Sequence, residues 1–192
     1  MQKIILVVFI SVLGILNLSS CYAARIDGPY EGKVIDADTG QPIEGVVVLG
    51  TWSRETPTPG GATHNFYDAQ ETVTDKNGEF KIKGLGLLVI SNVIPMDVLI
   101  FKAGYEYLGT PWESLKKSKY LIQKKNIKWE GDRVIIPLKK VTMEERKKDP
   151  LYPPIPPTEA PLEKARLMLK EINKDLVQHG FEPMEIWRGK KI

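Results

Sequence analysis

The side chains best suited to nucleophilic or metal chemistry are few in this chain of 192 residues: two histidines and one cysteine. His64 precedes Tyr67 and Asp68 by three and four positions, a grouping that a hydrolase could use for general acid–base work if the three side chains converged. His179 lies near the other end of the chain. Asp75-Lys76-Asn77-Gly78 places oxygen ligands at the spacing of a calcium loop, and Asp36 and Asp38 offer a second pair. The stretch is too short for an EF-hand loop, however, and has no distal bidentate glutamate. The same residues suit a tight turn held by side-chain to backbone hydrogen bonds, which is the reading taken. The chain has no glycine-rich phosphate loop, no nucleophile elbow and no cysteine–histidine cluster. The expectation is a protein that is not an enzyme and that uses no metal or cofactor.

The cysteine, Cys21, sits in an N-terminal leader. Lys3 precedes an uncharged apolar run from Ile4 to Leu16, and small residues follow from Ser19 to Ala24, so residues 1–23 read as a signal peptide. The run is shorter than the roughly 20 residues that a membrane-spanning helix needs. Leu18-Ser19-Ser20-Cys21 resembles the bacterial lipobox. That resemblance implies cleavage before Cys21, a diacylglyceryl group on its sulfur and attachment to a membrane. The alternative is ordinary cleavage after Ala23, which would leave a periplasmic or secreted chain. Both routes place the protein in a bacterial cell envelope. Tyr22 is not the aspartate that often retains lipoproteins in the inner membrane, so the lipidated form is expected at the outer membrane.

The elements that would position the remaining chemistry are short and β-rich. With 42% apolar and 27% charged residues, the chain can bury one ordinary core with a small appendage. The formal charge of +3, from 27 basic and 24 acidic side chains, is too balanced to imply nucleic acid. From Tyr30 to Leu138, β-branched runs alternate with Gly, Pro, Asn and Asp, as in an all-β sandwich. Tyr30 to Ile35, Gly45 to Gly50, Glu79 to Lys83, Met96 to Lys102 and Arg133 to Leu138 read as strands, with Asn77-Gly78 as a tight hairpin turn. The near-continuous apolar run Val46-Val47-Val48-Leu49 belongs in an interior. Ser53 to Gln70, polar and rich in Gly and Pro, reads as a long loop.

Glu106 to Asp132 reads as an insert. It carries Lys116, Lys117, Lys119, Lys124, Lys125 and Lys128 with Trp112, Tyr120 and Trp129, and has no acid between Glu113 and Glu130. Such a segment could meet an anionic polymer or lipid head groups, or it could be a solvated loop pinned by its aromatics. Residues 139–161 read as a charged and proline-rich linker. Residues 162–179 read as a helix, because Leu162, Ala165, Leu169, Ile172 and Leu176 form one apolar stripe; residues 180–192 are a tail. Gly180 is placed to end the helix, and the stripe must be covered by its own sandwich or by another chain.

Four pieces stand in order with sensible spacing: Gly32-Lys33-Val34-Ile35-Asp36, Thr39 to Val48, Thr74-Asp75-Lys76-Asn77-Gly78-Glu79-Phe80, and Ala103-Gly104-Tyr105. Together they resemble the carboxypeptidase regulatory-like family over residues 28–138. The resemblance implies a seven-stranded Greek-key β-sandwich of transthyretin-like topology, used as a binding module on exported proteins, with no catalytic residues to carry over. Enzymes share that fold. An intradiol dioxygenase needs an iron site of paired tyrosines and histidines, for which His64 and His179 are poorly placed. Trp187-Arg188-Gly189-Lys190 matches the terminal signature of transthyretin-like hydroxyisourate hydrolases only faintly.

The function expected is that of a non-catalytic interaction module for a protein or glycan partner, held at a membrane through Cys21. Its candidate surface is Tyr105, Tyr107, Trp112, Trp129, Lys116, Lys117 and Trp187. Two alternatives stand beside it. One is an envelope enzyme with a hydrolytic site around His64, Tyr67 and Asp68. The other is a structural subunit of an envelope assembly that docks through the helix stripe.

Overall fold

The computed structural model describes residues 24–89, 92–119, 125–148, 153–156 and 160–184. Cys21 and Trp187 lie outside the described residues. The chain is mainly β. In order, the elements are β1 (Arg25–Asp27), β2 (Tyr30–Asp36), β3 (Val47–Thr58), β4 (Gly61–Val73), β5 (Glu79–Ile82), β6 (Gly86–Leu88), β7 (Asp97–Phe101) and β8 (Leu108–Pro111). There follow α1 (Trp112–Lys117), β9 (Lys128–Glu130), β10 (Arg133–Leu138), α2 (Met143–Lys148), a 3-10 turn (Leu162–Lys164) and α3 (Arg166–Gln178).

One sheet has the order β5-β2-β10-β9 and the other β4-β3-β7-β8, and β1 pairs with β6 as a separate ribbon. β2 and β10 run parallel, and the other pairs are antiparallel. The described residues thus form ten strands where seven were expected. Alternation explains how the two sheets meet. Val34, Phe80, Val134 and Ile136 from one sheet share a core with Val48, Trp52, Val98 and Ile100 from the other. Gly32 leaves room for this packing, since a Cβ there would stand 2.7 Å from the Phe80 ring.

The second four-stranded sheet is buried on both faces, which accounts for the unbroken apolar run at its centre. Val46 and Val48 enter the sandwich core, while Val47 and Leu49, with Ala69 and Phe101, face α3. Ala165, Met168, Leu169, Ile172 and Leu176 cover that outer face. Removing such a side chain from water contributes about 1.5–3 kcal/mol, and a 13-residue helix is marginal on its own. The helix stripe is therefore spent on its own sheet. Leu162 is the exception at 40% exposed: the chain breaks helical phase at Ala165 (φ −131°), and Met168 is buried with the rest of the stripe.

The ends of α3 are fixed by bonds from elsewhere in the fold. Its N-cap, Ala165, has no side-chain bond to offer, and Glu71 on β4 accepts the Leu167 and Met168 N–H groups at 2.9 and 2.7 Å. At the far end Gly180 is left-handed (φ 74°), and the Gly180 and Phe181 N–H groups close a Schellman motif on Val177 and Leu176. Midway, Glu171 accepts the Ala103 N–H and Asp175 the Gly104 N–H.

Asp175 is also half of a buried ion pair. Arg146 Nε stands 3.2 Å from its Oδ2, and Arg146 Nη2 donates to the Tyr105 carbonyl at 2.6 Å. Arg146 belongs to α2, whose start is a capping box: Glu145 N–H donates to Thr142 Oγ1, and Glu145 Oε2 accepts the Thr142 N–H.

Four expectations are corrected. Asn77-Gly78 forms a tight turn but not a hairpin, because β4 pairs with β3 and β5 with β2, so the turn carries the chain from one sheet to the other. Ser53 to Gln70 is a continuous hairpin of β3 and β4, because the Thr residues hold extended backbone and Pro59-Gly60 supplies the turn between Thr58 and Gly61. The insert from Glu106 to Asp132 contributes β8, α1 and β9 to the sandwich and its edges. The expected linker, residues 139–161, holds α2, and its Pro154, Pro156 and Ala160 are buried.

Asp175→Asn leaves the Arg146 guanidinium buried without a counter-charge, so a loss of about 3–5 kcal/mol is expected in urea unfolding. A loss below about 1 kcal/mol would mean that water reaches the pair.

Candidate interaction surface

The described aromatic and basic residues singled out as a platform do not form one surface. Trp112 is 6% exposed and belongs to the core, in edge-on contact with Tyr30 at 5.1 Å, Phe80 at 6.4 Å and Trp129 at 6.0 Å. Trp129 is half-buried and donates from Nε1 to the Leu115 carbonyl at 3.1 Å, with Lys116 Nζ 4.4 Å above its ring. Lys117 pairs with Glu113 along α1 at 2.7 Å. Tyr107 packs beneath α3, and Tyr105 stands at another corner bonded to Asp36. Among the described candidates, Trp129 lies with Lys116 and against the buried Trp112, while Tyr105 and Tyr107 stand elsewhere; Trp112 is withdrawn from the surface because it closes the core at the start of α1.

His64, Tyr67 and Asp68 lie on β4, each engaged separately. His64 is opposite Glu55 on β3, Tyr67 lies under the Arg54 guanidinium at 4.8 Å, and Asp68 pairs with Lys164 while accepting the Ala69 N–H. Desolvation by its surroundings raises the nearby Asp97 carboxyl, and the charge of His64 pulls it back.

The β3–β4 hairpin itself is the surface that composition concealed. β7 pairs with β3 only from Val47 to Thr51, so beyond Trp52 the two strands continue as a ribbon. A bulge between Trp52 and Ser53 marks the departure. All residues from 54 to 65 are exposed. Because a lone two-stranded ribbon is marginal in water, its base is braced. Glu55 N–H donates to the Asn92 carbonyl, Ile94 N–H to the Ser53 carbonyl, and Asn92 Nδ2 to the Glu55 carbonyl at 2.6 Å. The arm presents Arg54, Glu55, Thr56, Thr63, His64 and Asn65, all capable of hydrogen bonding. The sequence signal for it was the β-branched threonines flanking Pro59-Gly60-Gly61.

Two buried carboxylates rigidify the ends of the sandwich. At the arm end, Asp27 is 2% exposed and accepts Trp52 Nε1 at 2.9 Å, the Leu85 N–H at 3.1 Å and the Tyr30 hydroxyl at 2.9 Å. Burial, and then the adjacent Asp27, push the Tyr30 hydroxyl above the usual phenol range. At the opposite end, Asp36 Oδ1 accepts the Asp38 and Thr39 N–H groups and the Thr39 hydroxyl, while Oδ2 accepts the Tyr105 hydroxyl at 3.2 Å. Thr74 joins the same end, accepting the Val46 N–H and donating to the Ile43 carbonyl. Asp75 Oδ1 accepts the Asn77 and Glu79 N–H groups, so this carboxylate holds a turn.

Between β4 and β5 lies an open cleft of about 340 Å³, lined by Glu31, Thr72, Asp75, Glu79, Lys81 and Arg133. Its charges pair internally, with Lys81 and Glu31 at 2.7 Å and Arg133 and Glu79 at 3.0 Å. Among the described residues no group of three or more His, Cys, Asp or Glu side chains could hold a metal ion, and no helix is long and apolar enough to cross a membrane. No protein-family model matches the chain, and no curated protein matches it significantly.

Hydrogen bonds from Thr39, above all its backbone N–H, hold the Asp36 carboxyl at about 2 against the opposing effect of burial. The ionised form is thus favoured by folding. Its contribution is fully present above the ordinary carboxylate range and is lost as pH falls through about 2. Acid unfolding followed by circular dichroism should show a shallower decline between roughly pH 4 and pH 2 for Asp36→Asn than for wild type. Parallel acid limbs would mean that Asp36 titrates alike in the folded and unfolded chains.

Proposed function

We propose that this chain is an exported, membrane-tethered interaction module without a catalytic role of its own. In this reading it is a transthyretin-like Greek-key sandwich of the carboxypeptidase regulatory-like kind, anchored through a diacylglyceryl thioether at Cys21. The β3–β4 arm engages a protein or glycan partner at the surface of a bacterial envelope membrane. The observation that carries the reading is the arm: twelve consecutive exposed residues, 54–65, held in register and braced at the base. A rigid projecting ribbon lowers the ordering cost of binding, and its open β4 edge offers main-chain hydrogen bonds to an added strand.

The buried polar groups support a structural reading of the interior. Asp27, Asp36 and Asp175 each accept bonds that pin a loop or a helix. The motif residues that resemble the carboxypeptidase regulatory-like family meet physically, since Asp36 of the first piece bonds Tyr105 of the last, and Thr74 of the third bonds Ile43 and Val46 of the second.

Intact mass of the mature protein from membrane and soluble fractions, beside Cys21→Ser, tests the anchor. A membrane form that begins at Cys21 with an acyl-sized increment, released by the substitution, is expected. A soluble chain beginning at Ala24 contradicts it. For the arm, a photo-crosslinking residue at Thr63 should give a discrete adduct in intact envelopes, and one at Lys76 should give none. Equal labelling from both positions, or none from Thr63, would remove the arm from the binding role.

A further inference from the structure

The β1–β6 ribbon exposes apolar side chains that the sandwich has no use for. Ile26 is 78% exposed and Leu87 67%, and they are directly opposed in the antiparallel register, which places them on one face. Val89, just past β6, is 60% exposed. The opposite face is fixed: Asp27 is held by Trp52, Tyr30 and Leu85, Leu88 packs on the core, and Arg25 Nη2 donates to the Val93 carbonyl at 2.8 Å. The aliphatic face therefore has a set direction.

We propose that this face, Ile26 with Leu87 and Val89, lies against the lipid bilayer and sets the orientation of the sandwich upon it. The inference rests on the lipid anchor at Cys21 proposed above. Three residues separate Cys21 from Arg25, and the four residue-to-residue steps between them reach at most about 14 Å when fully extended. A body tethered that closely must present its β1 corner to the membrane, and that corner carries the exposed aliphatics. Side chains of this kind settle about 5–10 Å into the head-group boundary.

Exposed Lys83, whose carbonyl packs against Gly28, brings a cation of the sign that anionic head groups attract. A protein partner fits this face less well, since a stable interface takes roughly 20–30 residues a side and this face offers three aliphatics. The arm leaves the sandwich at the same end, where Val93 bridges to Arg54 and accepts from Arg25, so its partner would be met close to the membrane.

The test uses the full chain purified from membranes, its mass read first, in vesicles of phosphatidylethanolamine and phosphatidylglycerol carrying a nitroxide-lipid quencher. A bimane fluorophore is attached at Leu87→Cys, at Val89→Cys as a second reporter of the same face, or at Asn77→Cys on the opposite end. Quenching at positions 87 and 89 is expected to exceed that at 77 by roughly threefold or more. Equal quenching at all three sites overturns the proposal. So does quenching that is absent in vesicles while the label is shielded in native envelopes, which would assign the face to a protein. A mass without lipid overturns the anchor, and this orientation with it, whereas a lipidated chain with an unquenched face overturns the orientation alone.

Discussion

A β-sheet with two apolar faces requires two covers, and that requirement organises this molecule. β3 and the residue before it send Val46 and Val48 one way and Val47 and Leu49 the other. The first set is covered by the partner sheet. The second would remain in water unless a later part of the chain returned to it, and α3 is what returns. Once α3 is placed, much of the C-terminal third follows. Glu71 meets its start, Asp175 ties its middle to Gly104, and Arg146 must accompany Asp175, because a lone buried carboxylate would be costly. The same pair holds α2, between the sandwich and the helix, against the body.

The two ends of the sandwich are built differently. At one end the turns that resemble the carboxypeptidase regulatory-like motifs are locked to each other by Asp36, Thr74 and Asp75. At the other, Asp27 gathers Trp52, Tyr30 and the β1–β6 ribbon around one carboxylate. The first end closes the fold. From the second emerge the arm, the apolar ribbon face and the start of the described chain at Ala24, so the features best suited to interaction share the end where a Cys21 anchor would lie.

Local chemistry was legible in the sequence, and long-range pairing was not. Asn77-Gly78 announced its turn but not that the strands on either side join different sheets; the apolar periodicity announced α3, and Gly180 marked its end, because each depends on neighbours within a few positions. Val46 to Leu49 announced an interior but not which element would cover its second face. Trp112 looked like a surface aromatic among lysines, since its partners Tyr30, Phe80 and Trp129 are brought to it only by the fold. Arg146 sits in a charged run that reads as solvated, and its carboxylate lies 29 residues further on. The arm was hidden because Pro and Gly at its tip outweighed the β-branched residues beside them. Of the candidate site, the exposed polar residues from 54 to 65 were visible as a segment but not as a strand pair.

Because α3 is part of the folded body, and not a detachable arm with a free stripe, native-state hydrogen exchange should show a specific pattern. The amides of Met168 to Leu176 and those of Val47 to Leu49 should lose protection together, in one opening close in free energy to global unfolding. Exchange of the α3 amides at the rate of an isolated peptide, with Val47 to Leu49 still protected, would contradict the claim that the helix completes the sheet.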